Sequence, residues 1–276
     1  ALIIYLVISA VFIGCTPILS IDASTQSVYH FSDTDKNISL LDISETFGTY
    51  DGSFVLYDNN LDSWKIYDLE EATKRIPPES TYKIYDALLG LESGIITPEH
   101  SSMTWNGDAF PFPSWEADQD LNSAMQNSVN WYFQAIDSQL GINRVQEFLN
   151  KIEYGNQTTS SNLDLYWSDF SLKISPLEQV TLLKKFNTNE FHLNSQNVFS
   201  VKNAIKIAST PNGNFYGKTG TGRVNGQDIN GWFIGYVETS DNSYYFATNI
   251  QSDSNATGKK AFEITSDILK KLHIWN

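Results

Sequence analysis

The 276-residue sequence has one cysteine and four histidines. A single thiol closes no intramolecular disulfide, and the histidines, at 30, 100, 192 and 273, neither cluster nor form an HExxH pair. A zinc knuckle or an HExxH centre is thereby excluded, and no metal site is expected. Positive charge is also scarce: 18 Lys and Arg against 32 Asp and Glu give a formal charge of -14. No local basic patch offsets this, so the chain repels phosphate backbones and nucleic acid is not expected as a partner. Internal repeats and low-complexity tracts are lacking as well. Any chemistry must come from hydroxyls, amines, amides and carboxylates. What is plentiful is apolar material, 41% of the chain with 13% aromatic, enough to bury a real core as one large domain or two intertwined subdomains.

Residues 1–21, "ALIIYLVISAVFIGCTPILSI", carry no charge and are long enough to cross a hydrocarbon core as a helix. Two versions of a membrane element are expected. One is a transmembrane helix continuing a longer protein, favoured because Ala1 is preceded by neither a methionine nor a basic segment. The other is a signal segment whose "FIGC" resembles a lipobox with Cys15 as the lipid acceptor. The acidic residues that follow, Asp22, Asp33 and Asp35, suit the outer face of a membrane. Residues 22–48, rich in Ser, Asp and Thr, read as a linker, and 49–276 as the folded domain.

Within that domain "GSFVLYD" and "SWKIYDL" alternate apolar and polar residues around "NNLD", a hairpin signal. Residues of about 80 to 205 read as helical, broken at "WNGDAFPFPSW", "EYGNQTTSSN" and "STPNGN". Strand-like runs return in "NFYGKTG", "NGWFIGYVET" and "NSYYFATNIQ". The run 258–272 then places Ala261, Phe262, Ile264, Ile268 and Leu269 at helical spacing. Strands at both ends around a helical middle predict an α/β (α+β) fold with one antiparallel sheet drawn from both termini.

Three short motifs carry chemistry. Ser80 and Lys83, in "ESTYKIYDALLGLE", stand at i and i+3 just after Pro77 and Pro78, so they share a helix face with the serine near the helix start. Backbone N–H groups there favour an oxyanion, and a neutral lysine would serve as base for the hydroxyl. "QNSVNWYF" offers Ser128 and Asn130, and "YGKTGTG" offers Lys218, Thr219, Gly220 and Thr221 on a strand, two residues apart and so facing one side. Singly these motifs are as well explained by a helix cap and a hairpin turn. In the order S-x-x-K, S-x-N, K-T-G they form the signature of the penicillin-recognising serine acyl-transferases.

The longer phrases "STYKIY", "MTWNGDAFPFPSW", "QDLNSAMQNSVNWYF", "YWSDFSLKISPLEQV" and "YGKTGTGRVNGQDINGWFIGYVET" resemble class D β-lactamases. More closely, they resemble the extracellular sensor domain of BlaR/MecR-type β-lactam sensor-transducers. The resemblance covers nearly all of 40–276. It implies the serine β-lactamase and penicillin-binding transpeptidase fold, with Ser80 as the acylated nucleophile and Lys83 as its base through an N-carboxylated form. Dissolved CO₂ would then be a reagent, and no metal or organic cofactor is required. The resemblance further implies that Ser128 relays a proton to the lactam nitrogen, that Lys218 flanks it, and that Thr219 and Thr221 hold the substrate carboxylate. The N–H groups of Ser80 and Thr221 would form the oxyanion hole, and Trp167 would donate to the lysine carbamate.

Two departures from class D stand out. Asn130 replaces the hydrophobic residue usual at the third position of S-x-V, and asparagine is what the sensor domains carry. An amide that hydrogen-bonds the lysine amine competes with carbamate formation and removes the base needed for hydrolysis of the ester. Near the C-terminus only Lys259 and Lys260 stand where class D enzymes place an arginine. The expectation is a receptor for β-lactam antibiotics at the outer face of a bacterial membrane, with a metalloprotease region of the same full-length protein as its partner. The rivals are a membrane-held class D hydrolase and a D,D-peptidase.

Overall fold

A computed structural model describes residues 37–276. The elements in chain order are β1 (Ile38–Leu40), α1 (Ser44–Phe47), β2 (Asp51–Asp58), β3 (Ser63–Tyr67), α2 (Leu69–Thr73), a 3-10 turn (Glu79–Tyr82) and α3 (Lys83–Glu92). Then come α4 (Leu121–Gln126), α5 (Asn130–Leu140), α6 (Ile142–Ile152), α7 (Pro176–Asn187) and α8 (Ser195–Ala204). The chain closes with β4 (Lys206–Thr210), β5 (Gly213–Val224), β6 (Gln227–Glu238), β7 (Ser243–Gln251) and α9 (Gly258–Lys271). Among the described residues these strands form one seven-stranded sheet of order β1-β3-β2-β7-β6-β5-β4. It is antiparallel except for the β1–β3 pair, and β2 against β7 joins the N-terminal and C-terminal strands, as the sequence pattern predicts.

The strand period of two sorts side chains onto two faces. Phe54, Leu56, Phe233, Val237, Phe246 and Ile250 pack under α9 with Ala261, Ile264 and Ile268. Their neighbours in sequence, Val55, Tyr57, Trp232, Ile234, Tyr236 and Ala247, face the helical half, where Tyr82, Leu88, Phe133 and Leu183 are buried. Burying one such side chain contributes roughly 1.5–3 kcal/mol, so the sheet is held from both sides.

Helix ends follow local chemistry. Ser175 caps α7 with Pro176 at its first position and Glu178 returning to the cap, and Asp120 with Ser123 forms the same box on α4. In α6 the buried residues Val145, Phe148, Leu149 and Ile152 recur at helical spacing.

The linker expectation for 22–48 is corrected at its C-terminal part. Ile38–Leu40 pairs with β3, Phe47 is buried, and Leu41 and Ile43 pack against the α9 side of the core. Five apolar residues among the eleven of 38–48 outweigh the polar composition that suggested a linker. The expectations for residues 1–36, including the membrane element and Cys15, lie outside the described residues. Within the described residues no helix is long and apolar enough to cross a membrane. Much of 93–120 and 153–175 is irregular rather than helical.

The segment leading into α3 is anchored by a buried ion pair. Arg75 Nη2 meets Glu178 Oε1 at 2.6 Å, both side chains being under a tenth exposed, and Ile76 bridges Ile174. Glu178→Ala should leave the guanidinium unpaired and remove the α7 box. The expected loss is about 3–5 kcal/mol of unfolding free energy in denaturant titration, as for other broken buried pairs.

Candidate active site

Ser80 sits in the 3-10 turn and Lys83 opens α3, so one turn of helix separates them. Lys83 Nζ donates to Ser80 Oγ at 2.9 Å and to Asn130 Oδ1 at 2.7 Å. Asn130 is the first residue of α5 and lies behind Ser128, whose φ of +57° turns the chain between α4 and α5. This left-handed turn, a costly conformation for a residue with a Cβ, aims the serine hydroxyl into the cleft while the helix behind it aims the amide. Lys218, buried on β5, donates from Nζ to Ser128 Oγ at 2.8 Å and to Thr219 O at 3.0 Å.

Thr219 and Thr221 project from β5 into the same cleft, with Gly220 between them. A Cβ on Gly220 would stand 3.2 Å from Ser80 N and 3.1 Å from Glu79 Cβ, so glycine lets the strand run against the nucleophile turn. Thr221 Oγ1 accepts from Gly258 N at 2.8 Å, tying the strand to the start of α9. All of the expected residues are therefore gathered: Ser80, Ser128, Asn130, Thr219, Gly220 and Thr221 line a cleft of about 340 Å³, and Lys83, Lys218 and Trp167 stand behind it.

Both lysines are starved of water. Burial pushes the Lys83 amine down to about 8, against the pull of nearby Asp86, Glu79 and Asp137. Burial, reinforced by the charge of Lys83, holds Lys218 well below the usual lysine value. Trp167, 2% exposed, puts its ring centroid 5.3 Å from Lys83 Nζ, and Phe133 puts its own at 5.6 Å. These two faces shut water out and favour the cation weakly. Trp167 thus meets the lysine through its ring face, where the resemblance implied an indole N–H donated to a carbamate; behind it Tyr82 stacks at 6.2 Å.

Sequence reasoning missed five participants. Arg223, on the cleft wall two residues beyond Thr221, is paired with Asp228, Nε to Oδ1 at 2.7 Å. Strand alternation over Thr219, Thr221 and Arg223 would have found it. By contrast Lys260 is engaged with Glu263 on α9. Phe112 and Trp115, from the irregular stretch before α4, wall the cleft, and Trp115 Nε1 donates to Asn127 O at 2.9 Å. Asp86 and Asp137, both fully buried, are invisible to motif reading because their meeting depends on how α3 packs on α5. Among the described residues no group of three or more His, Cys, Asp or Glu side chains is arranged for a metal ion.

The arrangement is that of an acyl-transfer centre: a hydroxyl beside a depressed amine, and a second hydroxyl beside a second amine. Comparison with known proteins agrees. The family described as "Penicillin binding protein transpeptidase domain" matches residues 48–270. "Regulatory protein BlaR1" of Bacillus licheniformis is 45% identical over 277 residues, covering 100% of this chain and 45% of the relative. The chain thus spans about half the length of that curated relative. Of solved structures, the "C-terminal domain of the Bacillus licheniformis BlaR penicillin-receptor" superposes with a TM-score of 0.85 at 45% identity, covering 90% of this chain and 100% of that one. "Class D beta-lactamase BAT-2" superposes at 0.80 with 36% identity, covering 86% and 97%. The chain belongs to the penicillin-binding transpeptidase-domain family, and within it stands with BlaR1 and the class D β-lactamases.

Proposed function

We propose that the protein is a β-lactam receptor, acylated on Ser80 by penicillins or cephalosporins and slow to lose the acyl group. The observation that carries this reading is the 2.7 Å contact of Asn130 Oδ1 with Lys83 Nζ. It occupies the amine where a class D hydrolase keeps an apolar wall.

In the proposed reaction the neutral amine of Lys83 takes the proton of Ser80, and Ser80 Oγ attacks the lactam carbonyl. The N–H groups of Ser80 and Thr221 receive the charge that develops on the carbonyl oxygen. The C–N bond breaks as Ser128 gives its proton to the leaving nitrogen and is re-protonated by the ammonium of Lys218. Thr219 and Thr221 hold the substrate carboxylate. Proton by proton the account closes: Lys83 ends as ammonium and Lys218 as amine. Burial has prepared both, since a Lys218 held well below its usual value is a ready donor. CO₂ adding at the lone pair of the neutral Lys83 would replace an amine N–H and make a carbamate base, and the hydrogen bond to Asn130 Oδ1 favours the amine that keeps its N–H groups.

The uncharged segment 1–21 supports a membrane tether with the domain outside, and the twofold greater length of BlaR1 supports a further region of the full-length protein. By the resemblance, that region is a metalloprotease acting on the far side of the membrane.

Intact-protein mass spectrometry with benzylpenicillin tests the receptor reading. An adduct of intact drug mass should persist for hours after free drug is removed, and Ser80→Ala should show none; an adduct gone within seconds, with the drug hydrolysed, would identify a β-lactamase. Asn130→Val should shorten the adduct lifetime by at least an order of magnitude and make its loss bicarbonate-sensitive. The pH profile follows from both lysines: the Lys83 amine is the base only when neutral, so the labelling rate should rise with pH through about 8, and it should fall again once Lys218, which must be an ammonium, loses its proton.

A further inference from the structure

Two carboxyl groups lie beneath the cleft that the reaction above does not use. Asp86 follows Lys83 by one turn of α3, and Asp137 follows Asn130 and Phe133 by two turns and one turn on the same face of α5. The two helices pack closely, since a Cβ on Gly90 would meet Ile136 at 3.0 Å. Both aspartates are 0% exposed and their carboxyl groups lie within hydrogen-bonding range of each other. Yet both oxygens of Asp86 and Oδ2 of Asp137 lack a donor, and Asp137 Oδ1 has only the Tyr166 hydroxyl at 3.4 Å. Two ionised carboxylates are acceptors only, so nothing bonds them until one takes a proton. Burial holds both above the ordinary carboxylate range, the charge of Asp137 adding to the rise at Asp86 while the contacts with Tyr166 and Asp86 pull Asp137 part of the way back, so the pair keeps a proton at neutral pH.

We propose that Asp86 and Asp137 share one proton and present a single buried negative charge to the back of Lys83, so that the amine, once it has taken the proton of Ser80, is retained as ammonium and is withheld as a base for release of the acyl group. The inference rests on the receptor reading and supplies its second lock, independent of Asn130. Asp86 stands one helical turn beyond Lys83 on α3, in a medium where water screens little. Around the dyad stand Tyr82, Tyr132, Tyr166 and Asp164, and around the amine Glu79 and Lys218; of these Lys83 is the cation nearest to the pair and the group it acts upon. An ammonium neither abstracts a proton from water nor adds CO₂, because both reactions need the nitrogen lone pair. Asp86 and Asp137 are positioning residues: they touch no substrate and act through Lys83.

The test is the pH dependence of two rates, acylation and loss of the penicilloyl adduct, in the whole protein and in the double variant Asp86→Asn/Asp137→Asn, since either aspartate alone would keep the charge. Removing the charge lowers the pKa of Lys83, so the midpoints of both profiles should move to lower pH. At neutral pH the adduct should be lost about tenfold faster for each unit of that shift. A variant that melts normally and keeps both midpoints overturns the proposal, since a merely structural role would alter stability without moving a midpoint. A second measurement needs no variant: the unmodified protein should show an infrared band of a buried protonated carboxyl at neutral pH that shifts on acylation. Absence of that band refutes the shared proton whether or not the variant folds. If the unmodified adduct is itself lost within seconds, the receptor reading fails, while the labelling midpoint still decides whether the dyad sets the charge of Lys83.

Discussion

The hydrogen bond from the fully buried Lys83 to Asn130 joins two helices through residues 47 positions apart in sequence. Most of the cleft can be understood as what is required to keep that amine dry. Trp167 and Phe133 cover the amine, Tyr82 stands behind the indole, and the phenol rings of Tyr154 and Tyr166 meet Tyr82 edge to face at 5.2 and 5.3 Å. An amine in such surroundings gives up part of its affinity for a proton. The same dryness makes each polar neighbour count for more than it would in water, so one amide oxygen is enough to redirect what the lysine does.

The cleft is assembled from two halves of the fold that could be built separately. The helical half supplies Ser80, Lys83, Ser128 and Asn130, and strand β5 supplies Lys218 through Thr221. Their joint is a set of close approaches: Gly220 against the nucleophile turn, Lys218 reaching Ser128, and Trp232 Nε1 donating to Pro77 O at 2.9 Å just ahead of that turn. None of these contacts is strong alone. Together they fix the distance between the hydroxyl that attacks and the one that protonates, which is the quantity an acyl-transfer centre must hold constant.

What the sequence made legible is what depends on local spacing. The S-x-x-K pair needs only a helix to meet, and the K-T-G-T run needs only a strand, so both could be placed before any tertiary information. The hairpin β2–β3, the three long C-terminal strands and α9 were legible for the same reason. Ser128 was recognised by order along the chain, while its left-handed φ follows from where α5 must begin. Arg223 was legible in principle by strand alternation and was passed over because its motif ends at Thr221. The meeting of Asp86 with Asp137 was not legible, since fifty residues and the rotation of both helices about their axes intervene. The error over Ile38–Leu40 has a similar origin, for a three-residue edge strand draws its stability from β3 rather than from its own composition.

The bond from Gly258 N to Thr221 Oγ1 has a mechanical meaning. It begins α9, a helix of 14 residues and so about 21 Å long. At the far end Lys271 Nζ reaches Thr46 Oγ1 at 2.7 Å, in α1, a few residues from where the described chain begins. The helix is therefore a strut with one foot on the cleft wall and the other on the N-terminal edge of the domain. A strut transmits thrust without bending, so a fraction of an ångström gained or lost at Thr221 has a stiff path to the other side of the molecule.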